Sequence, residues 1–539
     1  MGEIAREQIA SNFRGLIQYG RMDDLNSILQ AIFKKRGYHW PALLQNLQDC
    51  IKYEGPKIPE EGQKQLATWL EMMGPKTLKE KLRILVSIPN WNRVEEADGH
   101  FKDIAEEEAL EFAKECINNL SQLYSHLDIL FEGEQRKGFI FGKTLGEFIE
   151  DPQKFIENVL SVLKKTTPEK ENSIVLAGFL LSMRDRFPEL FKKTMSEIAE
   201  TEGLYASLVT LTSLTKPEKE DLERVLNLAQ KEKINPNTLR TFAWGSVLVD
   251  HEPETIIWLA EEIGKLESAS PMVVLEILLM YCYRNENKFQ VCRESFRQLI
   301  LSSGVLLEAT KSDTHDDYNW KQIVQKMLNE KPKDNELAQH LATEIVAACA
   351  EKRFELKFDM LLSPVLKILL EKYLDVTWPI FSKGFLSTES GLSYNLSHIF
   401  YFRLDSMDSS SILLDTVPED FLIKWCKEYP DKAPIVLLHL IPSLRNQGDK
   451  WEFQPIVRLI LDKYGNRKEI LSAIDSMLGS YSWSGSIIPY YRRQVDVFET
   501  VLSHDSPLVR NWAKKNIEYL NEQIRKEEQW EGEREFGIY

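Results

Sequence analysis

The chain has little glycine. Glycine occupies 25 of its 539 positions, about 5%, whereas roughly 7% is usual in soluble proteins. Sheet-rich folds and phosphate-binding loops raise this share, because tight turns and close backbone approaches favour a residue without a Cβ atom. The shortage argues against both, and hydrophobic residues at 43% exclude a wholly disordered chain.

The chain also lacks an excess of basic residues. Lys and Arg number 67 against 83 Asp and Glu, which gives a formal net charge of −16. Such a charge repels a polyanion at long range, so nucleic-acid binding would need a strong local basic face. Because basic and acidic residues are interleaved nearly everywhere, we expect a solvated surface and do not expect nucleic acid as the partner.

Cysteine clusters and long apolar runs are missing too. The six cysteines are far apart, with no C-x-x-C motif, which is typical of reduced, buried thiols in a cytosolic protein. The first residues lack the pattern of a signal peptide. The most apolar run, 272–283, contains Glu276 and is too short to span a bilayer. We therefore expect a cytoplasmic protein that does not enter a membrane. The cysteines are Cys50, Cys116, Cys282, Cys292, Cys349 and Cys426.

Helical periodicity is what the sequence has in abundance. Apolar residues recur at three- and four-residue steps, as on the buried face of an α-helix. The best strand candidates, 139–141 and 399–402, could equally be buried helical stretches. We predict an all-α fold. The clearest helical stretches are 104–127, 168–187, 221–228, 336–350 and 358–373.

A repeated spacing suggests how the helices are arranged. Asp505 precedes Arg510 by five residues, and Asn235 precedes Arg240 in the same way. In each copy the first residue would cap a helix and the arginine would reach a neighbouring repeat, which resembles the second helix of HEAT-type repeats. Any capped amphipathic helix could produce the same spacing. We predict an α-solenoid of stacked antiparallel helix pairs, since many medium helices with short turns favour this over one bundle.

Polar interruptions suggest loose segment boundaries near 305 and 410. The interruptions lie at 90–103, 310–333 and 405–411. They divide the chain into an N-terminal helical repeat region (1–305), a middle helical region with polar loops (306–410) and C-terminal HEAT-like repeats with a charged tail (411–539).

Two patterns resemble enzyme motifs but lack the spacing that those motifs require. In 138–144, three residues separate the glycines, whereas a P-loop has four whose N–H groups surround phosphate. Gly142 and Gly146 are better explained as places where two helices approach closely. The stretch 482–486 resembles a serine-hydrolase turn, yet G-x-S-x-G is absent.

Metal ligands are also sparse. His315, Asp316 and Asp317 have suitable side chains, but no spaced partner would complete the coordination geometry. His340 and Glu344 lie one turn apart, although no H-E-x-x-H motif is present. We expect no catalytic site, no metal and no cofactor, and these residues read most simply as surface side chains.

One segment, 478–493, has the composition of a protein-binding site. It combines turn residues with the Trp, Tyr and Arg side chains that are enriched in binding hot spots. The alternative is that Trp483 and Tyr490 fill a groove between neighbouring repeats. The candidate partner-binding residues are Trp483, Tyr490, Tyr491, Arg492 and Arg493.

The last 160 residues or so carry a family resemblance. The motifs are Thr377-Trp378-Pro379, Val417-Pro418-Glu419, Trp425-Cys426-Lys427-Glu428-Tyr429-Pro430, Trp483-Ser484-Gly485-Ser486 and 505–513. Together they resemble the C-terminal HEAT-like region of large bacterial proteins, which often follows an NTPase or other effector module in antiphage-type systems. The resemblance implies structure and binding, and it carries no activity over because the chain has no NTPase motif.

Three hypotheses about function follow. The preferred one is a non-enzymatic helical-repeat scaffold or sensor whose partner is a protein, such as an effector or NTPase module or a phage protein. The second is a HEAT-like nucleic-acid-binding protein with a basic concave face. The third is a metal-dependent hydrolase built on His315, Asp316 and Asp317.

Overall fold

A computed structural model describes residues 3–18, 21–36, 40–88, 93–95, 101–167, 170–311, 315–351, 356–401, 411–447, 450–479 and 485–535. The protein is all-α, as predicted, with 76% of it in helices. It divides into two compact units, Met1–Ala269 and Ser270–Tyr539. The boundaries predicted near 305 and 410 both fall within the second unit and stay predictions.

The first unit is built from helices and one small antiparallel hairpin. Besides α-helices, its described residues form the 3₁₀ helices Gly55–Lys57 and Pro236–Ala243 and the π-helix Leu82–Ser87. The elements are α1 (Glu3–Gln18), α2 (Met22–Arg36), α3 (Pro41–Glu54), α4 (Glu60–Met73), α5 (Leu78–Lys81), β1 (Arg93–Glu95), β2 (Phe101–Asp103), α6 (Ile104–Ile117), α7 (Leu120–Tyr124), α8 (Leu127–Phe131), α9 (Gly138–Phe148), α10 (Pro152–Leu163), α11 (Ile174–Arg186), α12 (Pro188–Glu200), α13 (Tyr205–Leu214), α14 (Lys219–Gln230) and α15 (Pro253–Gly264).

The second unit has the same construction, with one hairpin near its end. Its helix α21 has a kink at Tyr373, where the backbone leaves helical geometry. The elements are α16 (Pro271–Tyr281), α17 (Glu286–Ile300), α18 (Val305–Lys311), α19 (Asp316–Asn329), α20 (Asn335–Ala350), α21 (Leu356–Phe385), α22 (Ser390–Tyr401), α23 (Ile412–Thr416), α24 (Glu419–Glu428), α25 (Ala433–Leu440), β3 (Leu444–Gln447), β4 (Lys450–Phe453), α26 (Pro455–Tyr464), α27 (Lys468–Leu478), α28 (Ile488–Glu499) and α29 (Pro507–Glu535).

Several predicted elements differ from the observed ones. The stretch 104–127 is not one helix, because α6 ends at Ile117 and the short α7 follows. Most of the expected polar interruption at 310–333 is the helix α19. The strand candidate at 139–141 lies inside α9, and the described part of 399–402 lies in α22. The two hairpins found among the described residues were not predicted.

Within each unit, helices contact mainly the next helix and the one after that. For example, α1 packs against α3, α9 against α11 and α20 against α22. Side-chain hydrogen bonds cover a similar span: Trp69 Nε1 donates to Asn26 Oδ1 at 3.0 Å across 43 residues, and Trp512 Nε1 donates to Asp475 Oδ1 at 2.9 Å across 37. Other such bonds, spanning 31 to 48 residues, join Asn237 to Ser268, Lys137 to Asp103, Ser182 to Lys143, Lys326 to Glu286, Tyr464 to Cys426, Lys372 to Asn329, Tyr373 to Leu328 and Ser87 to Gln135.

The closest helix pair in the first unit crosses at glycine. A Cβ atom added to Gly142 or Gly146 on α9 would clash with the backbone of α11, and one added to Gly178 on α11 would clash with α9. Glycines four residues apart lie on one helix face, and because they have no side chains the second helix can pack directly against the backbone there. The predicted role of Gly142 and Gly146 is confirmed, and 138–144 is helix rather than a phosphate-binding loop.

Candidate interaction site

Four of the five predicted partner-binding residues lie at the start of α28. The Ser486 hydroxyl accepts the N–H of Ile488 at 3.2 Å, and Pro489 occupies the first turn, where a missing N–H costs nothing. Tyr490, Tyr491, Arg492 and Arg493 follow within the first two turns. Trp483, the fifth candidate, lies outside the described residues. The sequence of this segment therefore determines where the helix begins and places four of the candidates on it.

The hairpin of β3 and β4 packs against α28. Arg445 and Glu452 face each other across the strands, and Arg445 Nε donates to Glu452 Oε1 at 2.7 Å. At the end of β4, the ring of the buried Phe453 lies 6.4 Å from that of Phe498 on α28 and 6.5 Å from that of Trp512 on α29. These aromatic contacts fix the hairpin to the last two helices, because buried rings contribute large apolar areas.

Arg493 lies between two aromatic rings. Its guanidinium carbon is 5.3 Å from the ring centre of Trp451 on β4 and 5.2 Å from that of Tyr490 on α28. A planar guanidinium over aromatic faces gains cation–π attraction and loses rotational freedom. Trp451, Arg493 and Tyr490 are all half-buried. The site thus contains an arginine in contact with two aromatic rings from different elements, and we call these three residues the C-terminal stack.

Arg492 is the most exposed of the four predicted residues that the structure describes. Its side chain is 64% exposed and Nη2 lies 2.8 Å from Glu528 Oε1 on α29. An ion pair as open as this contributes little to stability. Arg492 can therefore exchange Glu528 for an acidic group on another protein at small cost. Next to it, Tyr491 is half-buried.

Trp451 was missed at the sequence level. The signal that could have found it is Gly448-Asp449 between two short runs of alternating residues, a common turn composition for a hairpin. What the sequence could not indicate is the contact itself, because Trp451 and Arg493 are 42 positions apart in the numbering.

The turn before α29 is held by His504 and Arg510. The Nδ1 atom of His504 accepts the N–H of Ser506 at 3.0 Å, so the proton is on Nε2, which donates to Asp462 Oδ1 at 3.1 Å. Arg510 Nη1 donates to the carbonyls of His504 and Asp505 at 2.5 and 2.8 Å. The sequence led us to expect a cap from Asp505 and a neighbour contact from Arg510. In the structure His504 makes the side-chain bond to the turn and the contact with α26, and Arg510 closes its own turn.

The second copy of the spacing has a different local structure. The Asn235 side chain accepts the N–H of Asn237 at 2.9 Å, as a capping residue does. The segment that follows, however, is the 3₁₀ helix Pro236–Ala243 rather than an α-helix. Arg240 lies on it and is half-buried. The spacing alone therefore did not distinguish a 3₁₀ turn from a full α-helical repeat element.

The suspected metal residues are dispersed. His315 directly precedes α19, while Asp316 begins it and is buried. Elsewhere, Glu344 Oε2 accepts the N–H of Gly304 at 2.9 Å, which gives that carboxylate a structural role. In the part of the chain that the structure describes, no group of three or more His, Cys, Asp or Glu side chains is close enough to hold a metal ion.

The cysteine thiols are buried, which limits their reactivity. All six are buried and free, as predicted. Burial raises the pKa of the Cys116 thiol to about 12 and that of Cys426 to about 12. For Cys282, a hydrogen bond with Cys292 and burial both raise the pKa. Since the thiolate is the reactive form, these three thiols are poor nucleophiles at neutral pH.

No helix among the described residues is both long and apolar enough to cross a membrane.

No protein-family model matches the sequence, and no curated protein matches it well enough to count as a relative.

Proposed function

We propose that this protein is a non-enzymatic helical-repeat scaffold or sensor, and that the C-terminal stack with Arg492 and Tyr491 forms part of the surface that binds a protein partner. The observation that carries this proposal is the position of Arg493 between Trp451 and Tyr490. An arginine held in this way has already lost most of the side-chain entropy that binding would otherwise cost.

The architecture that we propose is an α-solenoid of stacked antiparallel helix pairs within each unit. Two observations support it: the packing of several helices, such as α1, α9 and α20, on the helix two places along, and the hydrogen bonds that span 31 to 48 residues. HEAT and armadillo repeats are about 40 to 47 residues long, and each repeat contacts only its neighbours. A stack of this kind presents a continuous surface for a partner without a catalytic pocket.

The chemistry of the surface favours a protein partner. Trp, Tyr and Arg are the side chains that dominate protein–protein binding energies. Arg492, 64% exposed beside the stack, can meet an acidic side chain of that partner. From the resemblance of the C-terminal motifs, we propose an effector or NTPase module, or a phage protein, as the partner, and a role in bacterial antiphage defence.

Capture of partners with the full chain as bait, followed by mass spectrometry, tests the proposal. The bait variant R492A/R493A removes both cations of the surface. The matched control is K192A/K193A, which removes two adjacent, exposed lysines from α12. We expect a protein that is retained by the wild type and the control and is lost from R492A/R493A.

Two results would contradict the proposal. One is equal capture by both variants, with thermal unfolding showing that each is folded. The other is retention that disappears after nuclease treatment and falls steeply with salt, since this behaviour indicates nucleic-acid binding. A second variant, R493K, keeps the charge but loses the planar guanidinium, so it separates the stack from simple electrostatics.

A further inference from the structure

The first unit contains a second surface that the proposed function does not use. It is an open cleft of about 380 Å³, large enough for a few side chains of a ligand. The cleft lies where the ends of α11 and α13 meet the turns that follow the 3₁₀ helix Pro236–Ala243. We call it the Trp244 cleft. Its lining is Leu181, Ser213, Leu214, Lys216, Thr241, Trp244, Gly245, Ser246, Val247 and Asp250.

Two residues that line the Trp244 cleft have a left-handed backbone although they carry a Cβ atom. Lys216 has φ +53° and Ser246 has φ +59°, and Gly245 before Ser246 has φ +63°. For residues with a Cβ atom, the left-handed region costs about 1–2 kcal/mol. Residues in such conformations cluster at functional sites, where the surrounding structure maintains the strain for a purpose.

The strain presents Trp244 to solvent. Val247 N donates to the Trp244 carbonyl at 3.3 Å across Gly245 and Ser246, which with both φ angles positive makes a type I′ turn. Trp244 is 58% exposed, although tryptophan is normally among the more buried side chains. An indole held open at the edge of a cleft is a typical anchor for a binding partner.

The Trp244 cleft has one charge of each sign. Lys216 and Asp250 are both exposed, and in the described part of the chain neither is within ion-pair distance of an oppositely charged Lys, Arg, Asp or Glu side chain. The carboxylate of Asp250 together with the face of Trp244 suits a guanidinium or ammonium group. Lys216 in turn suits a carboxylate.

We propose that the Trp244 cleft binds a short peptide segment of a partner protein, with an Arg or Lys side chain placed between Trp244 and Asp250 and an acidic side chain placed at Lys216. Leu181, Leu214 and Val247 provide the apolar floor for the residue between them. This site is separate in the chain from the C-terminal stack, so either proposal can fail without the other.

Fluorine NMR of the full chain labelled with 5-fluorotryptophan tests this inference. The variant W244F assigns the Trp244 resonance, and Trp530, which is 44% exposed on α29, provides the reference resonance. The probe is the acetylated and amidated pentapeptide Leu-Arg-Leu-Glu-Leu. We expect saturable shifts at Trp244 and none at Trp530. Replacing Arg by Gln in the probe should weaken binding about two- to fivefold, as expected for the loss of an exposed ion pair.

The protein variants then assign each charge. With D250N, the preference for the Arg probe over the Gln probe should disappear, and with Lys216→Gln the preference for Glu over Gln at the fourth position should disappear. Both positions are exposed, so the fold is retained. Absence of a Trp244 shift at millimolar probe would overturn the proposal. So would equal shifts with the Arg and Gln probes, or binding of free arginine as tight as that of the peptide.

Discussion

The helices α9 and α11 come very close to each other at Gly142 and Val175. A Cβ atom on Gly142 would lie 1.9 Å from the Val175 carbonyl oxygen. The same is true in the opposite direction, since a Cβ atom on Gly178 would lie 2.0 Å from the Phe139 carbonyl oxygen. Neither obstacle is a flexible side-chain end, so the two helices can only move apart. The crossing therefore depends on glycine at both positions.

Replacement of Gly142 by alanine should destabilise the protein. Because the new methyl group meets backbone, α9 and α11 must separate and lose buried contacts, at a cost of about 3 kcal/mol or more. Urea unfolding followed by circular dichroism measures the loss.

The matched control is Gly15→Ala in α1, where nothing lies within 4 Å of the added methyl group. Alanine in an open helix interior should stabilise by about 0.5–1 kcal/mol. Opposite signs for the two substitutions are expected, and a neutral Gly142→Ala variant would show that the helices can separate freely.

Asp221 anchors a buried ion network, and its removal should be costly. Its side chain is 5% exposed and lies 2.5 Å from Arg184 and 2.8 Å from Arg224. Asp221→Ala leaves Arg184, itself 13% exposed, without its main counter-charge. We expect a loss of about 3–5 kcal/mol in the free energy of unfolding. Lys64→Ala, which breaks an open pair with Glu60 on α4, should leave the urea midpoint almost unchanged.

Asp221 should also contribute to acid unfolding. Burial alone would raise its pKa, but hydrogen bonds from Arg184, the Glu218 backbone and Arg224 lower the pKa below the usual value. The folded state therefore binds the proton less tightly than the unfolded state. The stabilisation is complete above about pH 4 and is lost as the pH falls through the folded pKa. In the Asp221→Asn variant, the slope of unfolding free energy against pH below 4 should be smaller than in the wild type.

Glu171 should have the opposite pH dependence. Burial raises the pKa of this half-buried carboxyl to about 7. Since the folded state holds the proton more tightly, stability should fall as the pH rises from about 4.5 to 7. Glu171→Gln removes the titrating group. Between pH 5 and pH 8, the free energy of unfolding of the variant should rise by about 1–2 kcal/mol relative to that of the wild type, after allowance for solvent screening.

The control for Glu171 is Glu202→Gln, at an exposed position in a nearby turn. It removes the same charge from a solvated site, so it reports the general effect of net charge on stability. Parallel pH curves for wild type and Glu171→Gln, measured by thermal unfolding, would contradict the predicted shift.

Local elements were predictable because their signals lie within a few residues. The helix expected at 221–228 is part of α14, and Glu218 and Asp221 form its capping box. The close approach of two helices at Gly142 and Gly146 was also predicted. Burial of the cysteines followed from their apolar neighbours. Each of these features depends on chain segments shorter than two helical turns.

The parts that could not be predicted depend on partners far along the chain. Arg493 was identified as a binding residue, but its contact with Trp451 requires a hairpin to dock on α28. His504, rather than Asp505, accepts a backbone N–H in the turn before α29, and its ring also contacts Asp462 on α26. At 236–243 the capping residue was correct and the helix type was not, since tertiary packing decides between 3₁₀ and α geometry.

The amino-acid sequence alone determined that this chain is helical and reduced, and it determined which stretches have a buried face, because helical periodicity and capping are local properties. The tertiary structure alone decided which side chains meet: the Arg493 stack, the Asp221 network and the Trp244 cleft. The physical reason is that stacking helices brings together residues tens of positions apart, and no local pattern specifies which of them will touch.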